Sequence, residues 1–138
     1  MWVVYALLSA FFASLTAIFA KIGVKDVNTD LATAIRTVVI LILAWGIAFA
    51  RGGINTIHTL TKHSLLFLVL SGIATGMSWI FYFKALQLGN VSQVAPIDKL
   101  SVALTIILAV VILKEPINSK EIIGAGLIIA GSLVLIWK

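Results

Sequence analysis

The sequence predicts an all-α protein, an integral membrane bundle of five transmembrane helices, on the basis of three observations. Hydrophobic residues make up 62% of the 138-residue chain, whereas an ordinary soluble domain has about 45–50%. Charged residues make up only 11%, less than half of the usual share of about 25%. Five apolar segments each approach the roughly 20 residues that a helix needs to cross a bilayer. A soluble chain of this size could not bury so many apolar side chains, which excludes a soluble enzyme, a nucleic-acid-binding domain and a disordered chain.

The five spans follow one another with short connectors. They are predicted at residues 2–20, 31–50, 64–86, 91–113 and 121–137. Continuous apolar runs such as 104–113 favour helices over membrane strands, whose polarity alternates. The first span is expected to be retained, because only Met1 precedes it and no basic region marks a cleaved signal. The connectors leave no room for an aqueous domain, so residues 1–138 are predicted to form a single domain.

Polar and helix-breaking residues mark the ends of the spans. Asp30, Ser64 and Ser119 each precede an apolar run and are predicted to cap the second, third and fifth helices. Gly52 is predicted to end the second helix, because glycine tolerates a left-handed backbone. Pro116 is predicted to stop the fourth.

The lysines and arginines of the connectors are evenly divided between the two sides of the membrane. One side would hold Arg51, Lys62, Lys114 and Lys120, and the other Lys21, Lys25, Lys84 and Lys138. Orientation follows an excess of positive charge on the cytoplasmic side. The balance therefore leaves two interpretations open: one fixed topology set by a small bias, or dual topology, in which the same chain inserts both ways.

Charged residues inside the spans are the strongest functional signal. Arg36 lies six residues into the second span and Asp98 eight residues into the fourth. These two spans run in the same direction, so the two charges are expected at similar depth and could pair. A charge at a helix centre costs about 2.5–3.5 kcal/mol, which makes an intramembrane charge functional by default. The pair is either a structural ion pair or a site for substrate or a proton. Lys99 should lie about 100° around the helix from Asp98.

Polar side chains form stripes on the first, third and fourth spans and cluster with Arg36 near the start of the second. The candidate substrate or coupling residues are Arg36, Asp98, Lys99, Ser101 and Thr105, together with Ser71, Thr75, Ser78, Trp79 and Tyr82. Such hydroxyls either bond to their own helix or line a polar cavity. The presence of an arginine and an aspartate among the stripes favours the cavity.

Small residues on two spans predict close helix packing. Gly72 and Gly76 have the GxxxG spacing on the third span, and Gly126 and Ala130 a similar spacing on the fifth. The fifth span is accordingly assigned to packing or to a subunit contact. The chain has no cysteine, and no metal constellation, phosphate loop or catalytic triad is evident. We therefore expect no metal, no cofactor and no enzymatic activity.

Several short motifs, taken in order, resemble a known membrane family. They are FAKIG at 19–23, KALQLG at 84–89, VAP at 94–96, LKEP at 113–116 and GAGLIIAG at 124–131. Their order and spacing resemble the EamA unit of the drug/metabolite transporter superfamily. The resemblance implies a multi-pass secondary transporter in a bacterial-type plasma (inner) membrane. Typical members resemble two fused units with ten spans, whereas this chain has one.

A single five-span unit can recover an inverted repeat by pairing with an oppositely inserted copy of itself. The resulting prediction is an antiparallel homodimer that moves a small polar solute by alternating access. Arg36 and Lys99 would attract an anionic group of that solute, and Asp98 would titrate or exchange its partner. Two alternatives stay open: a non-transporting membrane subunit, and a small-multidrug-type exporter that binds cations around Trp79 and Tyr82.

Overall fold

The apolar segments form helices because, in lipid, each backbone N–H and C=O must find its partner within the segment. The computed structural model describes residues 1–137. Lys138, which was counted among the connector charges, lies outside the described residues. Five helical segments are long and apolar enough to cross a membrane: Trp2–Gly23 (α1), Thr29–Ala50 (α2), Lys62–Leu88 (α3), Val91–Leu113 and Ser119–Ile136. The described residues contain no strand. The predicted all-α membrane fold is confirmed.

The fourth span is interrupted once. It consists of two helices, Val91–Asp98 (α4) and Leu100–Leu113 (α5), with Lys99 between them. The fifth span is therefore the sixth helix, α6, at Ser119–Ile136. Pro96 lies inside α4, just before the interruption. Proline lacks the N–H that an α-helix needs at that point, and its ring bends the chain.

The predicted caps of α2 and α6 are wrong by one or two residues. The side chain of Asn28 accepts hydrogen bonds from the backbone nitrogens of Asp30 and Leu31, at 2.8 and 3.1 Å. Asn118 caps α6, and the Glu121 carboxylate accepts from the Asn118 nitrogen at 2.9 Å, which completes a capping box. A cap must stand before the first helical residue, and both helices begin earlier than their apolar runs.

The α3 helix also begins early. Thr61 Oγ1 accepts from the nitrogen of Ser64 at 3.1 Å, so the predicted cap, Ser64, already lies in the first turn. The connector before it holds a short 3₁₀ helix, Gly53–Thr59. Gly52 has φ +70°, which confirms the left-handed glycine predicted after α2. A second left-handed position, Lys114 at φ +55°, follows α5.

The described chain divides into two compact units. The first, Ala20–Gln87, holds the end of α1 with α2 and α3. The connector between α1 and α2 packs here against the end of α3, where Val24 and Leu86 are fully buried. Lys21 Nζ donates to the Leu86 carbonyl at 2.6 Å, and Gln87 Nε2 donates to the Val24 carbonyl at 3.0 Å. These bonds satisfy carbonyls that the ends of α1 and α3 would otherwise leave open.

The second unit comprises Met1–Phe19 and residues 88–137. In it α6 packs against both α4 and α5. Ala103 on α5 and Ser132 on α6 are buried in this unit. The Ser132 hydroxyl donates to the Pro96 carbonyl at 2.9 Å, which links α6 to the interruption of the fourth span.

Candidate functional site

Arg36, predicted as a site residue, lies against the aromatic side chains of α3. Its guanidinium carbon is 4.0 Å from the Trp79 ring centroid and 5.2 Å from the Phe83 ring centroid. Trp79 and Phe83 are four residues apart on one helix and therefore share a face. Phe83 is 2% exposed, and both Arg36 and Trp79 are half-buried. The ring contacts hold the guanidinium beside α3 by cation–π attraction.

The charge of Arg36 has no carboxylate partner in its own unit. Within Ala20–Gln87 no Asp or Glu oxygen lies within 4.0 Å of its guanidinium nitrogens. Aromatic rings cover the faces of a guanidinium, but its N–H donors lie in the plane and point outward from the edges. Two parallel N–H groups match the geometry of a carboxylate or a phosphate. The arrangement can therefore bind an anionic group of a solute.

Asp98 and Lys99 form an ion pair at the interruption of the fourth span. Asp98 Oδ2 lies 3.5 Å from Lys99 Nζ, with the two side chains 37% and 57% exposed respectively. The turn is tighter than an α-helix, because the Lys99 nitrogen donates to the Pro96 carbonyl, three residues earlier, at 3.1 Å. Interrupted helices recur at the binding sites of secondary transporters, where irregular backbone lines a cavity.

In the structure, Arg36 and Asp98 each have a contact partner within the unit to which they belong. Arg36 contacts Trp79 and Phe83 in the first unit. Asp98 pairs with Lys99 in the second. The pairing of Arg36 with Asp98 stays a prediction. The pairing of adjacent residues was not foreseen, since an ideal helix would separate Asp98 and Lys99 by about 100°.

Two hydroxyls of the predicted stripes bond to their own helices. Thr75 donates to the Ser71 carbonyl and Thr105 to the Ser101 carbonyl, both at 2.8 Å. Their hydrogen atoms are thereby engaged, and their oxygens can still accept from a solute. Ser78 is exposed and Tyr82 is half-buried on the same helix as Trp79. The role of these stripes in binding stays a prediction.

The glycine faces have open space beside them. A Cβ atom placed at Gly72, Gly76 or Gly126 would meet no atom of the described chain within 4 Å. Ala130, the fourth residue of the predicted packing set, is exposed. Their role in close helix packing stays a prediction.

Three residues contribute to these contacts although the sequence pattern does not single them out. Phe83 could have been found from its position four residues after Trp79. The bond from Gln87 to the first connector had only a weak signal, a polar side chain at the end of an apolar run. Ser132 had none, since a lone serine in an apolar helix usually bonds to its own backbone.

Comparison with known proteins decides the class of the molecule. The profile of the EamA-like transporter family matches residues 1–137. The chain belongs to the EamA-like transporter family. An EamA protein is a membrane transporter, which agrees with the five apolar helices and confirms the resemblance seen in the motifs. Membership also points to transport and away from catalysis.

A relative of this EamA chain is described as an uncharacterized transporter in the cobO 3′ region of Sinorhizobium sp.. It is 48% identical over 134 residues, which cover 97% of this chain and 95% of the relative. The relative therefore matches this chain over nearly the whole single unit. No solved structure matches the EamA chain.

Proposed function

We propose that this EamA transporter carries a small polar solute with a carboxylate or phosphate group across a bacterial-type plasma membrane. It would do so by alternating access, as an antiparallel homodimer. The observation that supports the anionic solute best is Arg36, whose guanidinium is held by Trp79 and Phe83 without a carboxylate in its own unit. Since an intramembrane charge is costly, a cation kept there is expected to serve binding.

The same observation disfavours an organic-cation exporter that binds its cargo at Trp79. The Arg36 guanidinium lies 4.0 Å from that ring centroid. A second cation would have to displace the arginine or accept repulsion from it. An anionic group would gain from both the charge and the N–H donors of Arg36.

Two observations support the antiparallel homodimer. The connector charges are balanced between the two sides, so either orientation of the chain is accessible. The small-residue faces at Gly72, Gly76 and Gly126 have no neighbour within 4 Å of an added Cβ in the described chain. Such faces allow helices of two subunits to approach closely.

The solute proposal is tested by a thermal-shift screen of the detergent-solubilised protein. Each compound is a carboxylic acid or a phosphate, and each is paired with its uncharged amide or alcohol analogue. A ligand that binds only the folded protein raises the melting temperature with concentration. We expect stabilisation by acids and none by their neutral analogues, followed by counterflow of the best acid in proteoliposomes. Stabilisation by organic cations would favour the multidrug alternative, and a silent screen would favour the non-transporting subunit.

The topology proposal is tested by labelling single cysteines, because the chain has none of its own. Asn55→Cys lies in the connector after α2, and Asp26→Cys lies in the connector after α1. Dual topology predicts that each site is labelled from both sides of sealed cells in comparable amounts. One fixed topology predicts that each site is labelled from one side only, and from opposite sides. That result would leave a parallel dimer or another partner.

A further inference from the structure

Ser132 on α6 reaches the bend of the fourth span. Its hydroxyl donates to the Pro96 carbonyl at 2.9 Å, and the residue is 4% exposed. We infer that Ser132 is a positioning residue for the Asp98–Lys99 pair: its hydrogen bond holds the bend that keeps the two charges together. The importance of the pair for transport rests on the proposed function, but its dependence on Ser132 does not.

The hydrogen bond from Ser132 falls on a bend that is not a regular α-helix. In an α-helix the Pro96 carbonyl would accept from the nitrogen of residue 100, four positions later. Here it accepts from the Lys99 nitrogen at 3.1 Å, and the Lys99 carbonyl accepts from the Val102 nitrogen at 3.0 Å. Short runs of such tighter turns have poorer hydrogen-bond geometry. The Ser132 hydroxyl gives the Pro96 carbonyl a second partner from another helix.

This hydroxyl differs from others in the spans. Those of Ser14, Thr75 and Thr105 donate to carbonyls three or four residues earlier in their own helices. Such bonds are local and common in apolar helices. The bond from Ser132 joins residues 36 positions apart, so it transmits the position of α6 to the bend.

Few other contacts restrain the side chains of Asp98 and Lys99. Asp98 is 37% exposed and Lys99 is 57% exposed, so few neighbours restrain their side chains. The bend sets the backbone positions at residues 98 and 99 from which both side chains extend. Pro96, Lys99 and Ser132 border the same open groove, of about 520 Å³. A change in the bend would change both the ion pair and the position of the ammonium group in that groove.

The test measures the reactivity of Lys99 in the purified full chain. N-hydroxysuccinimidyl acetate acetylates only the neutral amine, so an ion-paired ammonium reacts more slowly than an unpaired one. The rate at Lys99 is read by mass spectrometry relative to Lys120, an exposed lysine in the first turn of α6. Ser132→Ala should raise the relative rate by up to about fivefold, the limit set by complete loss of a partly exposed ion pair that contributes about 0–1 kcal/mol. The variant should stay folded, because the Pro96 carbonyl keeps its bond from Lys99.

A double variant separates positioning from general destabilisation. Asp98→Asn should raise the relative rate by itself, and adding Ser132→Ala to it should raise the rate no further, because the pair is already absent. Ser132→Thr keeps the hydroxyl and should keep the original rate. Ser132→Cys, a weaker donor, should give an intermediate rate and serves if the alanine variant is poorly folded. Ser14→Ala is the matched control, with no expected effect.

Two results would overturn the inference. One is an unchanged rate at Lys99 in Ser132→Ala and Ser132→Cys while Asp98→Asn raises it. The other is a Ser132→Ala effect of the same size in the Asp98→Asn background, or one that raises all lysines alike. Neither result depends on whether the protein carries an anionic solute, so the proposed function is tested separately.

Discussion

Arg36 and the Asp98–Lys99 pair are two different ways of keeping charge inside a membrane span. Arg36 is held by the rings of Trp79 and Phe83, which leave its positive charge uncompensated in its unit. Asp98 and Lys99 compensate one another at a distance of 3.5 Å. An uncompensated cation attracts an anion, whereas a neutral pair must first open. Under the proposed function we therefore expect Arg36 to serve binding and the pair to serve a later step of transport.

The two arrangements also differ in what they contribute to binding and to stability. A guanidinium is planar and can lie against rings while its edges stay available, which an ammonium group cannot do. A salt bridge between partly exposed groups contributes only about 0–1 kcal/mol to stability. We therefore expect substitutions at Arg36 to affect binding most and substitutions at the pair to affect transport with little loss of stability.

The largest effect is expected at Arg36. Arg36→Gln should abolish both binding and transport of the acid selected by the screen. Arg36→Lys keeps the charge but loses the ring contact and the paired donors. It should weaken binding at least tenfold, since a hydrogen bond to a charged group contributes about 1.5–3 kcal/mol. Isothermal titration of the purified variants measures the change in Kd.

Arg51→Lys is the matched control for Arg36→Lys. Arg51 lies on the C-terminal cap of α2, is exposed, and precedes Gly52. Both substitutions keep the charge, so neither alters the balance that sets orientation. We expect Arg51→Lys to bind the acid as the original protein does. Equal binding by Arg36→Lys and the original protein would remove Arg36 from the site.

The next effect is expected at Asp98. Asp98→Asn should remain folded, within about 1 kcal/mol of the original stability, and should still bind the acid, but it should not transport it. The double variant Arg36→Gln with Asp98→Asn should also be inactive. Counterflow in proteoliposomes and chemical denaturation in detergent measure the two properties.

A structural pair between Arg36 and Asp98 predicts the opposite pattern. Each single substitution would then strand a charge and destabilise the protein by about 3–5 kcal/mol. The double variant would recover much of that stability, and transport would return with it. A stable and fully active Asp98→Asn protein would contradict both interpretations and direct attention to the stripe from Ser71 to Tyr82.

A smaller effect is expected at Trp79. Trp79→Leu removes the ring on which the guanidinium lies and should weaken acid binding about fivefold, within the range of about 0.5–2 kcal/mol for a cation–π contact. Trp79→Phe keeps a ring and should change the Kd by less than Trp79→Leu does. Trp45→Leu, at an exposed tryptophan of α2, is the control. Equal losses in Trp45→Leu and Trp79→Leu would show that the ring contact has no specific role.

The smallest effect concerns the ends of spans, where the two units differ again. The unit of Arg36 uses Gly52 for its left-handed turn, whereas the unit of the ion pair uses Lys114 at φ +55°. Lys114→Gly relieves a left-handed strain of about 1–2 kcal/mol but adds about 0.4–1 kcal/mol of unfolded-chain entropy, so it should stabilise the protein slightly. Gly52→Ala introduces that strain and should destabilise the protein by more than about 1 kcal/mol. Chemical denaturation of both variants in detergent measures the two changes, and a loss of stability in Lys114→Gly would contradict the strain argument.

The sequence was sufficient for the spans because helix formation in lipid depends on length and hydropathy alone. It was insufficient for the caps. Apolar patterning begins after the polar first turn and therefore predicts caps at Asp30 and Ser119. The structure has them at Asn28 and Asn118. Cap chemistry requires the backbone direction at the boundary, which composition does not contain.

The charged residues of the candidate site are evident from the sequence, but the contacts that the structure gives them within each unit are not. Arg36, Asp98 and Lys99 are evident as charges in apolar runs. Depth along parallel spans predicts that Arg36 and Asp98 could pair, and this pairing stays a prediction. Depth does not tell which face of a helix a side chain occupies, so it does not predict the contacts that each charge makes within its own unit. The contact of Arg36 with Phe83 and the bond of Ser132 to Pro96 depend on tertiary packing, which no local pattern contains.

The length of α3 has a consequence for the lipid. Its 27 residues correspond to about 40 Å of helix, whereas the hydrocarbon core is about 30 Å thick. The 18 residues of α6 reach only about 27 Å. The longer helix must tilt or extend into the headgroups, whereas the shorter helix is no longer than the hydrocarbon core is thick. The polar residues at both ends of α3 can lie among the headgroups, whereas α6 is slightly shorter than the hydrocarbon core. The protein should therefore respond most to an increase in acyl-chain length of the surrounding bilayer.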